Sequence, residues 1–255
     1  MAPYDTGMPA TTIDGVIDRL QDIIDECITA QSRLGYFAAL YKRMTMAVKD
    51  GMARGLFEDN ARIEALDVTF ANRYLTTRDQ YLAGELQGVC WLQAYGAAAR
   101  DAHIVLQHLL VGINPHIMID LGVAAARTCP GAELAGLAKD FATINSVIYG
   151  LMPVVDAELD ALSPVSATID HTIGRFKDKA IFDGMEKGRT TAWDFAQALS
   201  TMSLPEQALR IGARDLEARL LGDVILAGNP ILSLIRRHES QDVAANIRAL
   251  NATAH

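Results

Sequence analysis

The chain reads as all-α: a single-domain irregular bundle of about eight to ten helices around a buried central helix, residues 115–128. Three observations predict this. Apolar residues recur at intervals of three and four along most of the chain, the period of one helix face. No stretch alternates apolar and polar residues as a half-buried strand would. Half of the 255 residues are hydrophobic, enough to fill a sizeable core. Prolines and glycines are scattered, with no linker, low-complexity tract or fixed-period repeat, so residues 1–255 are expected to form one domain.

The elements follow in order. Ile13, Val16, Ile17, Leu20, Ile24 and Cys27 make the first stripe, and Phe37, Leu40, Tyr41, Met44 and Val48 the second. Gly51 and Gly55 break the chain, and Asp59 or Asn60 can cap a third helix with Ile63, Leu66, Phe70 and Tyr74 on one face. A long helical segment from about 84 to 111 ends in HIVLQHLLV, with Gly112 as its stop. Asn114 then reads as an N-cap and Pro115 as the first residue of a new helix, 115–128. This helix is apolar on all sides until Arg127, which makes it central. The Cys129-Pro130-Gly131 breaker ends it. Helix 132–162 carries Leu134, Leu137, Phe141, Ile148, Met152, Val155 and Leu159, with a kink expected about a turn before Pro153. Further helices fit 166–186, 190–202, 205–227 and 230–250, the last opening on a second Asn-Pro pair, Asn229-Pro230.

Charge and cysteine usage narrow the functional classes. The net charge is −8, and no basic block exceeds Arg236-Arg237, so neither nucleic acid nor an anionic membrane is an expected partner. The opening MAPYDTGMPATT lacks the charged and apolar regions of a signal peptide, and no apolar run is read as long enough to span a membrane. Cys27, Cys90 and Cys129 are odd in number and lack CxxC spacing, which fits reduced thiols in a cytoplasmic protein. A homodimer is compatible with all of this.

The informative residues are polar ones in apolar places. His116 and Asp120 lie four apart within GINPHIMIDLG, so one helix face carries both. A buried ionisable group needs a partner or loses its charge, and the nearest partner for each is the other. A neutral imidazole held by a carboxylate is a good general base and a good metal ligand. Asp67 sits on the stripe between Ile63 and Phe70, and Asn145 on the stripe between Phe141 and Ile148. If their helices surround 115–128, these four converge on one polar pocket in an apolar interior. Tyr41, Phe70, Tyr74, Trp91, His108, Phe141 and Trp193 would line it. The plain alternative is a set of hydrogen-bonded structural residues, with Asp67 paired to Arg43 or Arg73.

Other chemistries have less support. His116 and Asp120 supply two ligands for a divalent metal, with Asp67 or His108 as a third. His238 and Asp242 repeat the spacing in polar surroundings, which fits a solvated face. There is no HExxH, GxSxG or glycine-rich phosphate loop. No cofactor is required.

The segment FAALYKRMTMAVKDGMARGLFEDNARIEALDVTFANRYL, then Trp91, LLVGINPHIMIDL and DFATINSVI, resembles a bacterial family catalogued as domain of unknown function 5995. The resemblance covers roughly residues 30 to 200 and is most specific in G-x-N-x-H-I-x-x-D-L, matched by Gly112, Asn114, His116, Ile117, Asp120 and Leu121. It extends to Tyr41, Thr45, Asp59, Asp67, Phe70, Tyr74, Trp91, Asp140, Asn145 and Trp193. The family pattern has Asn before the motif's Asp, where this chain has Ile119, which implies one polar group fewer. The resemblance supports the choice of residues and implies no reaction.

The reading that follows is an enzyme acting on a hydrophobic small molecule by proton transfer: a cyclisation, isomerisation or elimination in specialised metabolism. His116 would be the acid or base, oriented by Asp120, with Asp67 and Asn145 positioning substrate. The rivals are a metal-dependent hydrolase of a lipid-like ester or phosphoester, and a non-catalytic small-molecule binding protein.

Overall fold

The computed structural model describes residues 8–162 and 186–252. The described residues form helices and no strands, as the periodicity predicts. In order these are α1 (Ile13–Thr29), α2 (Leu34–Ala53), α3 (Asn60–Ala83), α4 (Val89–Ala98), α5 (Val105–Pro115), α6 (Gly122–Thr128), α7 (Leu134–Leu162), α8 (186–200), α9 (Leu204–Leu226), α10 (Pro230–His238) and α11 (Val243–Asn251). A π turn, His116–Leu121, joins α5 to α6, so residues 105–128 are one continuous helix. The helix expected over 166–186 lies outside the described residues except for its last position.

Local chemistry explains the boundaries. Thr12 caps α1, its hydroxyl accepting from the Gly15 N–H at 3.1 Å. Asp59 caps α3 by accepting from the Arg62 N–H at 3.0 Å, and Gly84 ends it in the left-handed region (φ 76°) that glycine tolerates. Ser203 and Glu206 form a capping box at the start of α9. Asn229 caps α10, accepting from the Leu232 N–H at 2.9 Å. α7 runs unbroken through Pro153.

Three boundaries differ from expectation. The segment 84–111 is two helices, α4 and α5, parted at residues 99–104. The segment 230–250 is likewise two, because Glu239 leaves the helix to accept the Val105 N–H on its carboxylate at 3.0 and 3.1 Å, and Asp242 starts α11 by accepting from the Ala245 N–H at 2.9 Å. The third correction concerns the centre of the molecule. Gly112 does not stop a helix: a Cβ there would lie 2.9 Å from the Phe37 ring, so the glycine lets α2 pack closely on α5. Asn114 is no cap; its side-chain amide donates to the Ala218 carbonyl of α9 at 2.6 Å. Pro115 sits inside the helix, where it has no N–H to give, and the ladder resets through the π turn that follows.

Because those residues do not break it, the helix Val105–Thr128 is long and apolar enough, by length and composition, to cross a membrane, contrary to the sequence reading. Most of it is buried among the other helices, which a core helix also shows. It packs against α2, α3, α4 and α9. α8 lies directly on it as well: a Cβ on Gly122 would fall 2.7 Å from the Phe195 ring and 2.9 Å from the Ala192 carbonyl, and one on Gly188 would fall 3.2 Å from Ile117.

Candidate functional site

His116 opens the π turn and is buried inside a sheath of aromatic rings. Phe70 stacks on the imidazole with centroids 3.8 Å apart and planes 14° from parallel. Tyr41 meets it edge-on at 4.4 Å, and Phe37 at 5.3 Å. Tyr74 and Trp91 stand further off, at 6.2 and 6.3 Å. The spacing explains the sheath: Phe37 and Tyr41 are four apart on α2, and Phe70 and Tyr74 four apart on α3, so each helix offers two rings from one face. Of the residues expected to line a pocket, Tyr41, Phe70, Tyr74 and Trp91 therefore surround the imidazole.

Asp120 is beside His116 but engaged elsewhere. One of its oxygens accepts from Arg73 Nε at 2.8 Å and the other from the Trp91 indole N–H at 3.0 Å. His116 Nδ1 is 3.7 Å from that second oxygen, close enough for electrostatic attraction and too far for a hydrogen bond. The His116–Asp120 pair is therefore electrostatic, and the same carboxylate ties α3 and α4 to the central helix. This arrangement does not suit a metal. Asp120 has spent its oxygens on donors, and among the described residues no three His, Cys, Asp or Glu side chains cluster as ligands. His238 is exposed at the end of α10, and Asp242 caps α11.

On the helices that meet at the imidazole, several buried polar atoms lack partners. Among the described residues, both His116 nitrogens, the Tyr41 hydroxyl, Asp67 Oδ2 and Arg189 Nη2 find no hydrogen-bond partner. Burial pushes the His116 pKa down, against the pull of Asp120, with Arg189 and Arg73 adding to the depression; the ring is neutral at physiological pH. Burial, helped by Glu64, raises the Asp67 carboxyl to about 7. Burial likewise holds the Tyr41 hydroxyl well above its ordinary value, and the Asp67 and Asp120 charges reinforce this, so Asp67 is within electrostatic reach of Tyr41.

Asn145 belongs to the site only through Arg189. Its side-chain oxygen accepts from Arg189 Nε. The guanidinium lies over the Phe141 ring, 5.2 Å from its centroid, and the Trp193 ring lies 4.9 Å from Phe141. Arg189 is the residue that sequence reasoning missed. The signal was present: Arg189 shares a helical face with Ala192, Ala196 and Leu199, all buried, which is the same anomaly that marks Asp67. His108 lies apart from the imidazole's ring contacts. It packs against Tyr36 and His103, each with centroids 5.8 Å away, and burial lowers its pKa to about 3.

Asp140 is also buried but fully used. It accepts from the Glu58 N–H at 2.7 Å, the Asp59 N–H at 3.2 Å and Arg62 Nη2 at 2.9 Å. It holds the chain entering α3 against α7.

The model of the family of unknown function DUF5995 matches residues 13–228. No curated protein matches the chain. No solved structure matches it either. The matched span takes in α1 through α9, including every residue of the His116 cluster, and the chain belongs to this family.

Proposed function

We propose that this DUF5995 member is an enzyme that moves a proton on a small, largely apolar molecule bound against His116. The observation that carries the reading is a neutral imidazole whose two nitrogens, with three more buried polar atoms on the helices that meet there, have no hydrogen-bond partner among the described residues. More than nine in ten buried polar groups in folded proteins are paired, and each one left bare costs roughly 1–3 kcal/mol. A molecule seated among them would supply the missing partners. The roles follow from the chemistry. Neutral His116 accepts a proton; Asp67, with its pKa near 7, holds or releases one at working pH. The Tyr41 hydroxyl stays protonated and donates a hydrogen bond. Phe70 and the other rings exclude water. Asp120 is a positioning residue that fixes Trp91 and Arg73. Such a set suits cyclisation, isomerisation or elimination.

A second reading, a non-catalytic binding protein, is favoured by one observation: the imidazole has no carboxylate hydrogen-bonded to it. One experiment separates the two. Purified protein is incubated with a cellular small-molecule extract and the mixture is followed by mass spectrometry. We expect at least one apolar compound to be converted, and His116→Gln and Asp67→Asn to lose the conversion while His116→Gln melts within a few degrees of the wild type and Asp67→Asn melts at or above it. Retention of a compound without conversion would support the binding protein. Conversion that persists in both variants would remove these residues from the chemistry.

A further inference from the structure

We propose that Arg189 is an oxyanion receptor, so that the molecule bound beside His116 carries a carboxylate or phosphate group. This rests on the reading of the His116 cluster as a ligand site and names the ligand's class.

The protein pairs its other buried and half-buried arginines with carboxylates. Arg43 pairs with Glu158 and also donates to the Leu250 carbonyl at 3.3 Å. Arg78 pairs with Glu26 at 2.5 Å and lies 3.6 Å from Asp79. Arg73 pairs with Asp120 and Arg62 with Asp140. Arg189 is more deeply buried than any of these, at 2 % exposure, and among the described residues no carboxylate pairs with it. A guanidinium cannot shed its charge to escape the cost, and an uncompensated buried cation is strongly destabilising.

What surrounds Arg189 fixes its direction without neutralising it. Asn145 takes the Nε–H, and the Phe141 ring takes one face of the plane. Neither brings a negative charge. Nη2 stays buried with no hydrogen-bond partner among the described residues. The guanidinium is therefore held in one orientation with its Nη2 donors unspent, able to bind an oxygen of a carboxylate or phosphate. A neutral carbonyl would satisfy an N–H and leave the charge uncompensated; an oxyanion does both.

Location joins this receptor to the proposed chemistry. Gly188 brings α8 against Ile117 in the π turn, and the next residue is Arg189, whose charge is felt at the His116 imidazole. An acid headgroup anchored at Arg189 would lie along the apolar rings, with its adjoining carbons toward His116.

The test uses the full chain with benzoate and inorganic phosphate as anionic probes and benzyl alcohol as the neutral counterpart. Thermal melts and titration calorimetry are read for the wild type, Arg189→Met, Arg189→Lys and His116→Gln. We expect at least one anion to raise the wild-type melting temperature in a concentration-dependent way, and benzyl alcohol to have less effect. Arg189→Met should weaken anion binding at least tenfold and, without ligand, melt at or above the wild type, because a buried charge with no carboxylate partner among the described residues is gone. Arg189→Lys should bind the anion several-fold more weakly, having charge without the fork. Anion binding should survive in His116→Gln, so failure of the proton-transfer reading and failure of this one are separable. Indifference of the wild type to both anions would overturn the proposal, as would stabilisation equal to that by benzyl alcohol. So would anion binding unchanged by Arg189→Met, or an Arg189→Met protein that melts well below the wild type.

Discussion

Asp140 and Asp67 are both carboxylates on the apolar stripe of a long helix, and the fold treats them in opposite ways. Asp140 gathers two backbone N–H groups and the Arg62 guanidinium. Burial works to raise its pKa, but the Glu58 amide, Arg62 and the Asp59 amide outweigh it and hold the carboxyl below its ordinary value. Asp67 keeps Oδ2 bare, so burial acts unopposed and carries it to about 7. One carboxylate is a clamp between α7 and the start of α3; the other has an oxygen with no hydrogen-bond partner among the described residues. Burial of an acid therefore says nothing about function until its donors are counted.

The hardest test of that contrast removes the clamp. Asp140→Ala strips two amides and a guanidinium of their acceptor and should cost about 3–5 kcal/mol in urea unfolding at pH 7. The sign with pH follows from the depressed pKa. In the unfolded chain the carboxyl titrates near 3.9; above that value the stabilisation is complete, and it drains away as pH falls through the lower folded pKa. Asp140→Ala should lack that acid-linked loss. A cost under about 1 kcal/mol would mean the three bonds are ornamental and the contrast fails.

Asp67→Asn should act in the other direction. Its folded pKa is raised from 3.8 to about 7, so the folded state holds the proton longer than the unfolded one. Stability is unpenalised below the unfolded value and falls as pH rises to about 7, then levels off. A rise of that size corresponds to at most roughly 4 kcal/mol. The variant carries no such penalty, so it should match the wild type near pH 4 and exceed it by roughly 2–4 kcal/mol at pH 8. Glu239 rises to about 7 as well, so the readout is the difference between variant and wild type, not the wild-type curve alone. An Asp67→Asn protein less stable than the wild type at pH 8 would place Asp67 with Asp140, as a structural acid.

Much of the fold was legible because helix faces repeat. The α1 and α3 stripes bury Ile13, Val16, Leu20, Ile63, Leu66 and Phe70 as their spacing requires, and the caps at Asp59 and Asn229 follow from short polar side chains that mimic a backbone acceptor. The errors arose where tertiary contacts override local signals. Gly112 and Asn114-Pro115 carry every sign of a stop and a start, yet Phe37 requires the glycine, the Ala218 carbonyl takes the asparagine, and the π turn absorbs the proline. Within the site, helical spacing could identify His116, Asp120 and Asp67 as misplaced polar residues. It could not tell that Asp120 would face Arg73 and Trp91, since those partners come from α3 and α4 and periodicity carries no information about which helices touch. Arg189 carries the same mark on a face with buried Ala192, Ala196 and Leu199, but an arginine's long side chain also suits a surface, which hides the signal.

The smallest expected effect is also the most discriminating for the centre of the site. His116→Gln should cost only about 1 kcal/mol near pH 7.5, chiefly the lost ring stacking with Phe70. Its pH signature is separate. The folded imidazole has its pKa below the ordinary 6.5, so the unfolded chain takes up the proton first. The wild type should then lose stability as pH falls below about 6.5, and His116→Gln should lose less. His108 is displaced in the same direction, to about 3, so the variant keeps part of the slope. Nuclear magnetic resonance of the ring gives the direct answer. A neutral His116 that stays unprotonated at pH 6 is an imidazole whose neighbouring carboxylate is committed to Arg73 and Trp91. A ring that titrates at 6.5 or above would mean that Asp120 releases one of those donors and bonds the imidazole instead, so that His116, like Asp140, would have a partner within the fold.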